Sequence, residues 1–305
     1  MKTTSPKKLL KLPLLELAAL ANQERSKSLG SKLELCGIIS AKSGLCGEDC
    51  KFCAQSLKHS TNIHTHGLLK KDEILKAALK AKAEGAQRFG IVTSGNRLTV
   101  KELEAIAKTI SGIRDRAKIS VCASLGALDE DQLKRLKEAG LLRYHHNIET
   151  SPNFYKKIVS SHSFQERIKT IEAAKRSGLE VCSGGIIGMG ESWQDRIDMA
   201  LFLKKLDVDS VPINFLVPIK GTPLEDLEII SCNDAIRVIS IFRIILKDKT
   251  IKIAAGRESV LRDFQGLGFM AGANGMLIGG YLTICGRKIE EDHKLIKEIK
   301  KAWKK

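Results

Sequence analysis

From about residue 33 onward the chain alternates between two hydrophobic patterns. Short runs rich in Val, Ile, Leu and Ala predict strands at 33–40, 88–93, 118–123, 142–148, 179–187, 209–217, 250–255 and 275–280. Between them apolar residues recur three and four apart, which predicts helices over 72–84, 100–111, 130–139, 164–177, 193–205 and 234–246. Three of these helices run into a stop glycine, at Gly85, Gly140 and Gly178. Eight strands alternating with helices place the chain in the α/β class. They predict a (β/α)8 TIM-type barrel over 33–305, behind an N-terminal helical extension over 1–32.

Two segments imitate membrane signals. Lys2, Lys7, Lys8 and Lys11 precede Leu12-Pro13-Leu14-Leu15, but Glu16 interrupts the apolar stretch and Asn22-Gln23-Glu24-Arg25 follows it. That pattern predicts an amphipathic entry helix. Residues 266–285 carry no charge, yet six glycines with Asn274 and Thr283 predict a short helix, a turn and a buried strand. No membrane association is expected.

A hydrophobic content of 43% permits a large core, and the net charge of +16 raises the question of nucleic acid. The excess is lysine, for example Lys70, Lys71, Lys76, Lys80, Lys82 and the tail from Lys294 to Lys305. Many of these lie near glutamates on predicted helices, as on solvated faces, and no aromatic platform accompanies them. No nucleic-acid partner is expected. Eight irregularly spaced cysteines do not form a secreted disulfide scaffold in a chain of 305 residues. Reduced thiols, metal ligation and a cytoplasmic location fit better.

The sharpest chemical signal is Cys46-Gly47-Glu48-Asp49-Cys50-Lys51-Phe52-Cys53. Cysteines spaced C-x3-C-x2-C can hold three corners of a [4Fe-4S] cluster from one loop, leaving the fourth iron open. A zinc site would call for a second cysteine pair at similar spacing, and the sequence has none. The loop resembles that of the AdoMet radical superfamily, in which the amino and carboxylate groups of S-adenosylmethionine (AdoMet) fill the open iron position. In a TIM-type barrel, site residues sit at the C-terminal ends of the strands. The cluster loop follows the first predicted strand. Cys122, His145, Asn147, Glu149, Cys182, Asn214 and Arg257 fall in or just after later ones. Cys122 or Cys182 alone reads as core, but Arg257 beside two thiols suggests a charged, sulfur-rich second site.

Longer strings resemble the biotin synthase family from about Leu33 to His293. They include Ala41-Lys42-Ser43-Gly44-Leu45-Cys46, Cys53-Ala54-Gln55-Ser56 and His146-Asn147-Ile148-Glu149-Thr150-Ser151. Val181-Cys182-Ser183-Gly184-Gly185, Ser210-Val211-Pro212-Ile213-Asn214-Phe215, Gly221-Thr222-Pro223-Leu224 and Ala255-Gly256-Arg257-Glu258 continue the match. The resemblance implies radical insertion of sulfur into dethiobiotin, with an auxiliary [2Fe-2S] cluster deep in the barrel as the sulfur source. It implies Cys46, Cys50 and Cys53 as ligands of the first cluster, and Cys122, Cys182 and Arg257 as ligands of the second. Asn147, Glu149, Arg167, Gly184 and Asn214 would serve AdoMet, and His145, Asn147 and Asn214 the substrate. No catalytic side chain beyond the cofactors is expected. A homodimer and an electron donor such as flavodoxin or ferredoxin are implied as partners.

The pattern departs from the family at two places. Gly90 stands where a third auxiliary cysteine is expected on the second strand, and His145 stands where asparagine is usual. Three readings follow: a substitute ligand such as Cys285, a different cluster on Cys122 and Cys182, or a lost site. The last would make the chain a related AdoMet radical enzyme with another substrate. Cys36 and Cys232 read as structural.

Overall fold

The computed structural model describes residues 6–280 and 286–304. Its strands are β1 (Glu34–Lys42), β2 (Arg88–Thr93), β3 (Ser120–Ser124), β4 (Arg143–His145), β5 (Glu180–Cys182), β6 (Gly185–Ile187), β7 (Ser210–Phe215), β8 (Thr250–Ile253) and β9 (Gly275–Leu277). All pair in parallel in the order β5-β4-β3-β2-β1-β9-β8-β7-β6, and a further β5–β7 pairing closes the ring. The single strand expected at 179–187 is split into β5 and β6. Gly184 passes so close to β7 that a Cβ there would lie 1.9 Å from the Pro212 carbonyl oxygen. β5 and β6 together form one stave, so eight staves make the barrel, as the alternation predicts.

The helices are α1 (Pro6–Leu9), α2 (Leu14–Leu29), α3 (Lys71–Ala83), α4 (Val100–Arg116), α5 (Glu130–Glu138), α6 (Pro152–Ile158), α7 (Phe164–Arg176), α8 (Trp193–Leu206), α9 (Cys232–Leu246), α10 (Arg257–Leu261), α11 (Gln265–Met270) and α12 (Ile289–Ala302). Capping boxes set the starts of α4 at Thr99/Glu102, α5 at Asp129/Gln132, α7 at Ser163/Glu166 and α8 at Ser192/Asp195. Gly85, Gly140 and Gly178 follow α3, α5 and α7 with positive φ, the stop geometry expected of them.

α9 is buried on nearly all sides, because α2 of the N-terminal extension covers the face it turns away from the barrel. Leu17, Ala18 and Ala21 supply that cover. Arg25, also on α2, stacks its guanidinium 3.8 Å from the Trp303 ring centroid, linking the extension to the C-terminal helix. The uncharged segment at 266–285 becomes α11, a turn and β9 within the described residues. Among those residues no helix is long and apolar enough to cross a membrane. Lys70, Lys71, Lys76, Lys80, Lys82 and Lys294 are exposed.

Candidate active site

Alternate residues of a barrel strand point inward, and here they build one cavity of about 470 Å³. Cys36 and Ile38 reach it from β1, Arg88, Gly90 and Val92 from β2, and Cys122 and Ser124 from β3. Arg143 and His145 come from β4, Cys182 from β5, Pro212 and Asn214 from β7, and Lys252 from β8. Phe52, Cys53, Ala54 and Gln55 of the cysteine loop line the same space. The loop leaves β1 after Lys42, whereas Cys36 sits six residues earlier, roughly 20 Å along an extended strand. The cavity therefore has a cysteine loop at one end and barrel thiols at the other.

The loop is shaped before any metal arrives. Gly44, at φ +72°, begins it, and a Cβ there would lie 2.3 Å from Thr65 Cγ2. Cys46 N–H donates to Gln55 O at 3.0 Å, Leu57 N–H to Cys46 O at 2.8 Å, and Cys53 N–H to Cys50 O at 2.9 Å. Asp49 accepts 3.0 Å bonds from the Ser160 and Ser161 amides, which fasten the loop to the segment after α6. Those bonds hold the Asp49 carboxyl well below its usual range even against its desolvation. Burial raises the Cys50 thiol strongly and pushes Cys53 up to about 11. Buried thiols resist ionising without a cation, and iron is the cation that would compensate them. Among the described residues no three His, Cys, Asp or Glu side chains converge tightly enough for a single metal ion. A four-iron cluster asks for something else, three thiols each at its own corner of a cage.

Beside the loop runs a charged relay. Glu48 lies 2.8 Å from His162 Nδ1, and His162 Nε2 lies 3.0 Å from Arg167 Nη2. Arg167 also donates to Tyr155 Oη at 2.7 Å and to the Asn147 carbonyl at 3.0 Å, and pairs with Glu149 at 3.5 Å. Glu149 has φ +67° and faces the cavity beside Asn147, which donates to it at 3.3 Å. Asn147 Oδ1 accepts from Gly184 N–H at 3.0 Å, and Asn214 spans Gly185 O and Ala255 N–H at 3.1 and 3.2 Å.

At the other end, Arg88, Arg143 and Lys252 face Glu34 and Glu180. Glu34 pairs with Arg143 at 2.7 Å, Arg88 at 2.8 Å and Lys252 at 2.8 Å, while Glu180 pairs with Arg143 at 2.8 Å and Arg88 at 2.9 Å. Three cations against two carboxylates leave a positive excess beside Cys36, Cys122 and Cys182. Burial opposes ionisation of Cys182, yet Lys252, then His145 and Arg143, draw its thiol down to about 6. Cys36 stays up at about 12 and Cys122 is also raised, both chiefly by burial. Arg88 keeps one buried nitrogen, Nη1, without a hydrogen-bond partner among the described residues. Thiols, surplus cations and an orphaned donor suit an anionic iron–sulfur group, whose ligands are thiolates and whose sulfides accept hydrogen bonds.

Several sequence expectations need correction. Arg257 does not line the cavity. β8 ends at Ile253, so Arg257 begins α10, where it pairs with Asp292 of α12 at 2.8 and 2.9 Å and with Gln265 at 2.5 Å. The cation beside the thiols is Lys252, which the sequence reading passed over although a lysine flanked by Ile251 and Ile253 in a barrel strand was a signal. Arg167 lies behind Glu149 and Asn147 and not on the cavity wall. Gly184 is likewise off the wall, and its missing Cβ makes room for Pro212 and not for a ligand. Nearby, Glu191 caps the Gly188 and Met189 amides and pairs with Arg196 at 2.7 Å. Cys36, read as structural, opens into the cavity. Cys285 falls outside the described residues.

A closed parallel barrel bearing a C-x3-C-x2-C loop over its mouth defines the radical SAM class of enzyme, and residues 42–203 match the Radical SAM superfamily. Residues 212–300 match the Biotin and Thiamin Synthesis associated domain. The biotin synthase of Thermotoga petrophila is 51% identical over 98% of this chain and 99% of its own length. That of Aquifex aeolicus is 46% identical over 88% of this chain and 81% of its own. The chain belongs to the biotin synthase family. In fold alone it also resembles methylornithine synthase, with a TM-score of 0.85 at 20% identity over 98% of this chain and 93% of the other. The FeFe-hydrogenase maturase HydG from Carboxydothermus hydrogenoformans gives 0.78 at 19% identity, covering 96% and 76%.

Proposed function

We propose that the chain forms biotin from dethiobiotin. The observation that carries this reading is the single cavity that joins Cys53 of the loop to the barrel thiols Cys122 and Cys182. When bound, the four-iron cluster and AdoMet supply a 5′-deoxyadenosyl radical and an auxiliary iron–sulfur cluster supplies the sulfur atom. Saturated carbons offer no acidic proton, so the reaction assigns no proton-abstracting role to His145 or Glu149, although both line the cavity.

The chain's own residues bind and orient. Cys46, Cys50 and Cys53 would hold the first cluster, at which AdoMet would be cleaved. Glu149 accepts hydrogen bonds from ribose hydroxyls, and Arg167, 3.5 Å away, keeps that carboxylate aimed. Asn147 and Asn214, each fixed by backbone partners, face AdoMet and substrate together. His145 lines the substrate space and pairs in register with Cys182 of the next strand, so its ring lies beside the second site. Ile38, Val92, Ile186 and Leu216 make an aliphatic wall that keeps water from a reactive carbon radical. Cys122 and Cys182 hold the auxiliary cluster. The reduced thiols fit a cytoplasmic enzyme, served by an electron donor such as flavodoxin or ferredoxin, and the protein works as a homodimer.

The test is anaerobic reconstitution followed by reduction with AdoMet and dethiobiotin present. Biotin should form at the expense of AdoMet. Release of 5′-deoxyadenosine without biotin would assign another substrate, the reading that Gly90 and His145 motivate.

A further inference from the structure

Cys36 is the third residue of β1, and its thiol opens into the cavity beside Cys122 and Cys182. The family-like position on the neighbouring strand is Gly90, which pairs with Ile38 on one side and Cys122 on the other. A Cβ at position 90 would sit 3.1 Å from Ile38 Cγ2, a tight contact that Ile38 would have to yield to. Cys36 lies two residues before Ile38 and therefore points to the same face of the sheet. The thiol of Cys36 thus stands on the strand next to Gly90 and on the same face of the sheet.

A buried cysteine that is only packing sits among aliphatic carbons. The surroundings of Cys36 are polar instead. Lys252 Nζ lies 3.2 Å from its Sγ, and Glu34 Oε1 lies 3.8 Å away. Cys36 and Cys122 line the same cavity. We infer that Cys36 is the third cysteine ligand of the second iron–sulfur cluster, supplying from β1 the thiolate that Gly90 cannot supply from β2. The inference rests on the proposal that a second cluster exists. Each thiol loses its proton on binding iron, and Lys252, Arg143 and Arg88 offset the added negative charge. Lys252 serves as a hydrogen-bond donor to the ligand sulfur, since a protonated amine has no lone pair for iron.

The test is iron and acid-labile sulfide counting, with absorption spectra, on the anaerobically reconstituted full-length protein. Unaltered protein should hold more iron than one four-iron cluster. Cys36→Ala should lose that excess as fully as Cys122→Ala, while the AdoMet-sensitive four-iron signal persists and reports an intact barrel. An unchanged excess in Cys36→Ala, or its loss in Cys285→Ala instead, would overturn the assignment. Should Cys36→Ala fail to fold, the near-isosteric Cys36→Ser is read. A lowered excess or shifted charge-transfer bands support the thiolate ligand, and unchanged iron and spectrum refute it. Absence of any excess in unaltered protein would strike at the second cluster itself, a separate failure.

Discussion

Lys252 Nζ lies 2.8 Å from Glu34 Oε1 deep in the barrel. The pairing explains how a lysine can be 4% exposed in a strand otherwise made of apolar residues and a threonine. Burying an ammonium is costly unless partners replace its water. The carboxylate takes one of its donors and the Cys36 thiol, 3.2 Å away, accepts another. The lysine is thereby fixed as a positive wall facing three thiols.

Replacing it should separate stability from metal binding. In Lys252→Met, Glu34 keeps Arg88 and Arg143, so the loss of stability should be moderate, about 1–3 kcal/mol by denaturant midpoint. The iron and sulfide held beyond the first cluster should fall severalfold, because the thiolates lose their nearest cation. Lys252→Arg keeps the charge and should retain more of that iron than Lys252→Met. Equal retention in both variants would remove the electrostatic role assigned here.

Acid should loosen the same region. Burial alone would raise the Glu34 carboxyl, but Lys252 and Arg143 hold it far below the usual range. A depressed carboxyl contributes stability that is fully present above the unfolded value, about 4.3, and is lost as pH falls toward the folded one. Asp49 acts in the same direction through its bonds to Ser160 and Ser161. The metal-free chain should therefore keep its stability on these two accounts down to about pH 5 and lose it progressively below. Glu34→Gln should start less stable at neutral pH and show a shallower acid slope, read from urea midpoints between pH 3 and 7.

Much of this was legible in the sequence. The period-two and period-3.6 patterns placed every barrel strand within a few residues, because buried parallel strands are apolar throughout and their covering helices are not. The cysteine loop was legible because its three ligands are local in sequence. The second site was harder. Lys252, Arg88, Arg143 and Glu34 lie on four strands, and only closure of the barrel brings them together. Arg257 misled because it follows β8 by so few residues. It is the first residue of α10, and there its guanidinium turns toward Asp292. Gly184 misled for a related reason: its close contact is with Pro212, a residue on the next stave.

The relay through Arg167 predicts a binding effect. Arg167→Lys keeps a positive charge near Glu149 but cannot reach Tyr155, His162 and the Asn147 carbonyl together. The KM for AdoMet should rise about tenfold, equivalent to about 1.4 kcal/mol, with little change in kcat for 5′-deoxyadenosine release. The four-iron absorption should be unaltered. A fall in kcat at constant KM would argue that Arg167 acts on the reacting atoms and not through Glu149.

Arg257 gives the complementary case, a buried arginine whose work is structural. Its guanidinium and Asp292 are each 1% exposed and bonded in a two-pronged pair that holds α12 to the end of the barrel. Removing one member of such a pair strands the other as a buried charge, which costs about 3–5 kcal/mol. Arg257→Ala should lower the urea midpoint accordingly, and Asp292→Asn, which leaves a hydrogen-bonding partner, should cost less. In the fraction that stays folded, both variants should hold as much iron and sulfide per chain as the unaltered protein, because neither residue borders the cavity. Selective loss of the iron in excess of the first cluster, with stability preserved, would return Arg257 to the second site and displace Lys252 from it.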